Sequence, residues 1–167
     1  TLPACYQWLE QAFNVALPLA FPDTLAHDTQ LAFEDGLKMV NGVERVLQRL
    51  NDNGVPFCVA SNGSHKKIHH SLSLTGLLPY FAARFSVEDV EQGKPAPDLF
   101  LHAASCMGVP VSQAIVIEDS QSGWQASESA GMRSLIYAPH GKPAFACAQW
   151  FDSMAALPSL LLAGVNQ

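Results

Sequence analysis

Three short segments of the chain combine residue types that could bind an anion and a divalent cation. In Ser61-Asn62-Gly63, a hydroxyl, an amide and a glycine backbone can donate several hydrogen bonds to an anion. In Gly93-Lys94-Pro95-Ala96-Pro97-Asp98, two prolines stiffen the loop that carries the Lys94 ammonium. Glu118 and Asp119 are adjacent carboxylates whose mutual repulsion a divalent cation would relieve, and oxygen ligands of this kind suit Mg²⁺.

Each segment also has an ordinary structural interpretation. Ser-Asn-Gly after a strand is most often a simple turn. Lys94 could be a solvated lysine that precedes a helix capped by Asp98. Asp119 or Ser120 could likewise be the N-cap of the next helix. The functional interpretation therefore depends on whether the three segments meet in space.

The apolar pattern from Val43 onward predicts helices that alternate with strands. Helices are predicted at 43–50, 66–75, 98–107 and 122–130, and strands at 55–60, 81–87, 114–117 and 133–138. This alternation is typical of a Rossmann-like three-layer α/β domain with a parallel sheet and right-handed crossovers. Because ligands of such sheets bind outside the carboxyl ends of the strands, we expect Ser61, Lys94 and Asp119 to converge in one cleft.

The first 40 residues have a different character. Apolar residues around Trp8 and Phe13 predict one helix, and Leu31 to Met39 predict a second. No strand is predicted there, so we interpret 1–40 as a separate helical region and 41–167 as the α/β domain.

Composition limits the classes of partner. Apolar residues make up 49% of the 167 residues and charged residues 14%, which predicts an extensive core. The net charge of −6 argues against nucleic acid. The apolar run at 155–165 is too short for a membrane span, so no membrane partner and a cytoplasmic location are expected. Cys5, Cys58, Cys106 and Cys147 are expected to be small buried apolar residues, rather than a zinc site or disulfide framework.

Taken together, in order and spacing, these segments resemble the second, third and fourth motifs of the haloacid dehalogenase superfamily. The third segment is followed by Ser120, Gly123, Ala126 and Ala130-Gly131-Met132, which extends the match. The chain most resembles the branch of sugar-phosphate phosphatases and β-phosphoglucomutases, including the 6-phosphogluconate phosphatase type. The resemblance implies that 1–40 is part of a helical cap and 41–167 the catalytic core.

The resemblance also implies roles for the residues. Ser61, with Asn62 and Gly63, would bind the transferring phosphoryl group, and Lys94 would neutralise both phosphate and nucleophile. Asp119 would bind Mg²⁺, with Glu118 beside it. The implied activity is a magnesium-dependent phosphatase that acts on a small phosphorylated metabolite, such as a sugar phosphate, through an aspartyl-phosphate. A β-phosphoglucomutase-like phosphomutase is the alternative, although mutases tend to have Ser-Ser or Ser-Ala at Ser61-Asn62.

The chain departs from the family pattern at the nucleophile. In the family, the attacking aspartate and its acid/base partner form an Asp-x-Asp motif on a first strand, but none of the eight aspartates here are two residues apart. That strand would lie between the strand ending at Ser61 and the one ending at Asp119. We therefore expect this chain to be inactive alone and its full-length form to be an enzyme. A further alternative is a non-catalytic, truncated interaction module that self-associates through exposed strand edges.

Overall fold

The computed structural model describes residues 2–162 and divides the chain into two compact units, Thr1–Lys38 and Met39–Gln167. The first unit contains α1 (Leu2–Phe13) and α2 (Phe21–Gly36). Its division from the second unit lies close to the predicted join. That residues 1–40 belong to a cap stays a prediction.

The prediction for the second helix was wrong in its bounds. The sequence pattern placed it over Leu31 to Met39, whereas α2 begins at Phe21 and ends at Gly36. Pro22 in the first turn favours the earlier start, because proline fits where no intrahelical donor is needed. The backbone of Leu37 is extended, so Leu37 and Met39 lie after the end of the helix and not within it.

The second unit alternates helices and strands, as predicted. Its elements in chain order are α3 (Val43–Asp52), β1 (Val59–Ser61), α4 (His65–Leu74), β2 (Arg84–Ser86), α5 (Asp98–Met107), β3 (Ile115–Glu118), α6 (Gln121–Ser129), β4 (Arg133–Tyr137), β5 (Trp150–Phe151) and α7 (Leu157–Leu162). Strand β5 was not predicted. The first predicted strand is shortened to β1, which begins after Pro56, a residue that cannot donate to a ladder.

The strands form two parallel sheets in the described part of the chain. In one sheet β1 pairs with β2, with Ser61 opposite Ser86. In the other, the order is β3-β4-β5, with Ile117 opposite Leu135. No ladder joins β1 to β3 within residues 2–162, and these are the two strands between which the family's first strand is expected. Both strands therefore keep an unpaired edge there.

Two apolar clusters hold the helices on the sheets. One joins α5 and α6 to β3, with the residues Phe100, Ala104, Val116, Ala126, Ala130 and Met132. The other joins α3 and α7 to β4, with the residues Val46, Leu135, Phe151, Met154 and Leu157. Gly54 and Gly108 adopt left-handed φ values of 65° just after α3 and α5, which lets each helix end sharply. The strand ends near Ser61 and Glu118 are thus carried on packed elements.

The cysteine prediction was wrong in part. Cys5 and Cys106 are exposed, whereas Cys58 and Cys147 are half-buried, and all four are free thiols. Burial raises the pKa of the Cys58 thiol. Cys106 lies on the outer face of α5, with its Sγ 3.7 Å from Nε2 of His102.

Within the described residues, no helix has both the length and the apolar character needed to cross a membrane.

Candidate active site

The carboxyl ends of β1 and β3 border one cavity of about 450 Å³. It brings together the predicted residues Ser61, Lys94 and Asp119 from three separate segments. The lining residues are Val40, Ala60, Ser61, Asn62, Lys94, Ile117, Glu118, Asp119, Ser120, Ser122, Tyr137 and Met154. Gly63, also a predicted site residue, lines a neighbouring cavity of about 200 Å³ that shares Ser61. The expected convergence at the sheet edge is therefore present.

Lys94 provides a fixed positive charge in the cavity wall. Its Nζ donates a hydrogen bond to the carbonyl oxygen of Ala60 at 2.9 Å and forms an ion pair with Oε1 of Glu118. The side chains of Lys94 and Glu118 are each only 9% exposed, so pairing offsets much of the cost of removing two charges from water. The ammonium also lies 4.7 Å from the ring centroid of buried Phe100.

The side chain of Asn62 holds the backbone of the lysine loop. Its Oδ1 accepts from the Lys94 amide at 2.9 Å, and its Nδ2 donates to the Lys94 carbonyl at 3.0 Å. A Cβ on Gly93 would lie 2.6 Å from Oδ1 of Asn62, so glycine permits this close approach. One N–H of the Asn62 amide is used on Lys94, and the second N–H has no acceptor in the described part of the chain, so the side chain keeps one donor for an anion.

Glu118 is held by its neighbours on both oxygens. Besides the ion pair with Lys94, its Oε2 accepts from the Ser120 hydroxyl at 2.9 Å and from the Asp119 amide at 3.2 Å. A Cβ on Gly123 would overlap the carboxyl group of Glu118, so α6 can approach this closely because the position is glycine. In this arrangement Glu118 orients Lys94. Its role as a metal ligand stays a prediction.

Asp119 presents the carboxylate that is left to bind a cation. It is exposed to the cavity and has no hydrogen-bond or ion-pair partner on its carboxylate among residues 2–162. Hard carboxylate oxygens are the ligands that Mg²⁺ prefers, so the chemistry of Asp119 and Glu118 fits this ion. Within the same residues, no cluster of three or more His, Cys, Asp or Glu side chains could hold a metal. Asp119 and Glu118 are ligands of the type that Mg²⁺ prefers, and further ligands are needed to complete its coordination.

Ser61 is oriented as a donor. Its Oγ accepts a hydrogen bond from the Gly63 amide at 3.0 Å. The hydroxyl proton has no acceptor in the described part of the chain, and Ser61 lines the cavity. A hydroxyl whose acceptor side is occupied in this way can give its proton to an anion.

Sequence reasoning missed a second group of polar residues behind Ser61. Ser86 is fully buried, and its Oγ donates to the Gly63 carbonyl at 2.7 Å. Asp89 accepts from the Ser86 amide at 2.8 Å and pairs with Nε2 of His65 at 2.7 Å. The run Ser86-Val87-Glu88-Asp89 has the spacing of a capping box, which is the signal that could have revealed it.

Two predicted helix caps have different outcomes. Ser120 caps α6, because its Oγ accepts from the Gly123 amide at 3.0 Å. The prediction for Asp98 was wrong: α5 begins at Asp98 itself, with Pro97 in the N-cap position and no side-chain cap hydrogen bond. Asp98 therefore adds negative charge to the first turn instead of capping it.

Comparison with known proteins assigns the chain to a family. The model of the haloacid dehalogenase-like hydrolases matches residues 4–131, and the chain belongs to this family. It is 36% identical over 114 residues to the 6-phosphogluconate phosphatase of Escherichia coli K12, covering 66% of this chain and 50% of that protein. The chain thus spans about half the length of this curated relative.

Solved structures agree with this assignment. A conserved haloacid dehalogenase-like protein of unknown function from Agrobacterium tumefaciens C58 superposes with a TM-score of 0.81 at 30% identity, covering 98% of this chain and 78% of that one. A hydrolase of the same family from Deinococcus radiodurans R1, with bound phosphate and sodium, gives a TM-score of 0.76 at 28% identity, covering 98% and 76%. The α/β fold expected from the sequence is therefore confirmed.

Asp89 should make the free energy of unfolding depend on pH in the acid range. The Ser86 amide, and then the His65 ring, lower the pKa of Asp89 below its ordinary value of 3.8. A lowered pKa in the folded state gives stability that is present above 3.8 and is lost as the pH falls through the folded value. The free-energy difference between wild type and Asp89→Asn, from urea unfolding, should be largest near neutral pH and shrink below about pH 3.8. An equal pH dependence for the exposed control Asp52→Asn would contradict this expectation.

Proposed function

We propose that the chain forms the phosphate-binding side, and part of the metal-binding side, of a magnesium-dependent phosphatase for small phosphorylated metabolites such as sugar phosphates. The observation that carries the proposal is the meeting of Ser61, Lys94 and Asp119 around one cavity. Phosphoryl transfer depends mostly on positioning and on neutralising charge, and these three side chains provide a hydroxyl donor, a cation and a metal ligand.

The roles follow from the contacts of each side chain. The Ser61 hydroxyl, fixed by the Gly63 amide, would donate to a non-bridging phosphoryl oxygen. Lys94 would neutralise negative charge on the phosphoryl group, with Glu118 and Asn62 holding it in place. Asp119 would help to hold Mg²⁺, which when bound supplies positive charge to the phosphate oxygens. The attacking carboxylate would come from an aspartate outside this chain and displace the alcohol from phosphorus.

The relatives support phosphatase chemistry. The E. coli relative is a 6-phosphogluconate phosphatase, and the D. radiodurans hydrolase holds a phosphate ion. Within a full-length protein, release of inorganic phosphate would indicate a phosphatase, whereas isomerisation of glucose 1-phosphate would indicate the phosphomutase alternative. Self-association through the free edges of β1 and β3 stays a separate prediction, which sedimentation equilibrium of this chain would test.

Phosphate binding tests the proposal on the chain itself. We expect inorganic phosphate with MgCl₂ to bind in isothermal titration calorimetry, and Lys94→Met to weaken binding by roughly 10- to 100-fold, since a charge-assisted hydrogen bond is lost. Lys142→Met removes an exposed lysine outside the cavity lining and should leave the affinity unchanged. Equal losses in both variants would show non-specific charge attraction, and would overturn the proposed site.

A further inference from the structure

We propose that Ser86, Asp89 and His65 form a brace that positions the anion loop, defined here as Ser61–Gly63. This inference rests on the proposed function, because it concerns how the phosphate-binding hydroxyl of Ser61 is held. None of the three brace residues lines the larger cavity, so they would act through the loop and without touching phosphate.

The first part of the brace is a buried hydroxyl that bonds on both sides. Ser86 is 0% exposed and lies opposite Ser61 in the β1-β2 ladder. Its Oγ donates to the Gly63 carbonyl at 2.7 Å and accepts from the Glu88 amide at 3.1 Å. A buried hydroxyl is costly unless it is bonded, and this one uses its bonds to tie the loop after β1 to the turn after β2.

The second part joins the same two loops at the surface. The carboxylate of Asp89 accepts from the Ser86 amide at 2.8 Å through one oxygen and meets Nε2 of His65 at 2.7 Å through the other. The backbone amide of His65 donates to Oε2 of Glu88 at 2.8 Å. Together with the hydrogen bond from Ser86 to Gly63, three contacts therefore connect the segment after β1 to the turn after β2. On the β1 side each of them is made by Gly63 or by His65, two residues further on.

Gly63 is the point at which the brace reaches the site. Its carbonyl is held by Ser86, and its amide holds the Ser61 hydroxyl at 3.0 Å. Glycine is the residue with the greatest backbone freedom, so without the carbonyl contact the loop would sample other conformations. Ser61 would then lose its fixed orientation before phosphate arrives, and binding would have to restore that order.

The chain contains a matched control for Ser86. Ser127 is also 0% exposed, and its Oγ donates to the Trp124 carbonyl at 2.7 Å within α6, away from the anion loop. Ser86→Ala and Ser127→Ala thus delete the same hydroxyl from equally buried sites. We expect both substitutions to lower the melting temperature. Only Ser86→Ala should weaken binding of inorganic phosphate, by about tenfold in calorimetry.

Backbone dynamics provide a readout that does not depend on phosphate. In ¹⁵N relaxation of the 167-residue chain without ligand, the order parameter of the Gly63 amide should fall from about 0.85 to below about 0.7 in Ser86→Ala. Ser127→Ala should leave it unchanged. His65→Ala should cause a smaller fall and His65→Gln should restore it, because glutamine keeps a donor for Asp89. These exposed variants remain informative if Ser86→Ala does not fold.

The outcomes separate this inference from the proposed function. If the wild-type chain binds no phosphate, the proposed function fails, and the Gly63 order parameter alone decides whether the brace exists. If phosphate binds but Ser86→Ala and Ser127→Ala leave its affinity equally unchanged, the brace does not position the site. An unchanged Gly63 order parameter in both Ser86→Ala and His65→Ala overturns the inference in either case.

Discussion

Adding an upstream segment with a strand and an Asp-x-Asp-Gly-Thr turn should give phosphatase turnover and greater stability to a chain that we expect to be inactive alone. The 167 residues contain no Asp-x-Asp pair, so the chain offers no motif aspartate to attack phosphorus. Loss of a nucleophile costs catalysis on the order of 10⁶-fold, which positioning by Ser61 and Lys94 cannot replace. Magnesium-dependent hydrolysis of p-nitrophenyl phosphate, with and without the added segment, measures the difference.

The expected gain in stability has a separate physical cause. Strands β1 and β3 each keep an unpaired edge, and exposed Ile117 lines the cavity beside them. A strand seated there would pair two rows of backbone groups and cover apolar surface. We expect the melting temperature to rise by more than about 5 °C.

The control variant keeps the added strand but removes the nucleophile. An added segment in which the first aspartate of the motif is replaced by asparagine should give the same rise in melting temperature without turnover. Turnover in that variant, or in the 167-residue chain itself, would contradict the assignment of the nucleophile to a segment outside this chain.

In the restored protein, Lys94→Met and Asp119→Asn should both abolish turnover but differ in their response to magnesium. Asp119 is assigned to the metal, so its amide variant should lose most of the increase in melting temperature that MgCl₂ produces. Lys94 is assigned to phosphate and nucleophile, so its variant should keep that increase. The comparison is a series of melting curves with and without MgCl₂.

The contacts of Lys94 sharpen this expectation. In Lys94→Met the carboxylate of Glu118, which is only 9% exposed, loses its ion-pair partner. Breaking a buried pair costs about 3–5 kcal/mol, so this variant should be the less stable of the two without metal. A bound cation would offset the unpaired negative charge of Glu118. The rise in melting temperature that MgCl₂ produces should therefore be at least as large in Lys94→Met as in the unsubstituted protein. An identical response in both variants would show that the two roles are wrongly divided.

The order of elements could be predicted because buried parallel strands leave continuous apolar runs in the sequence. The run before Ser61 and the run before Glu118 both became strands, β1 and β3. Strand β5 has only two residues, which is too short for any periodicity to show. The bounds of α2 were missed because its first half has only Phe21, Leu25 and Ala26 among polar residues, and none of the residues of α2 is buried.

The site could be predicted only at the level of which residues meet. The ends of β1 and β3 place Ser61 and Asp119 at one cavity, and the loop between β2 and α5 brings Lys94 to it. The partners of those residues depend on contacts between distant parts of the sequence, such as Asn62 with Lys94 across 32 positions and Ser86 with Gly63 across 23. No local pattern specifies such contacts, so the hold of the Asn62 side chain on Lys94 could not be predicted, and its assignment to phosphate stays a prediction.

The central claim is that phosphate binds where Ser61, Lys94 and Asp119 meet, and a titration of the ¹⁵N-labelled chain tests it most directly. With inorganic phosphate and MgCl₂ added, the largest changes in amide chemical shift should occur at Gly63, Lys94 and Asp119. The same titration of Lys94→Met should show these changes strongly reduced. Saturable changes that avoid these three residues, or that persist unchanged in Lys94→Met, would contradict the account.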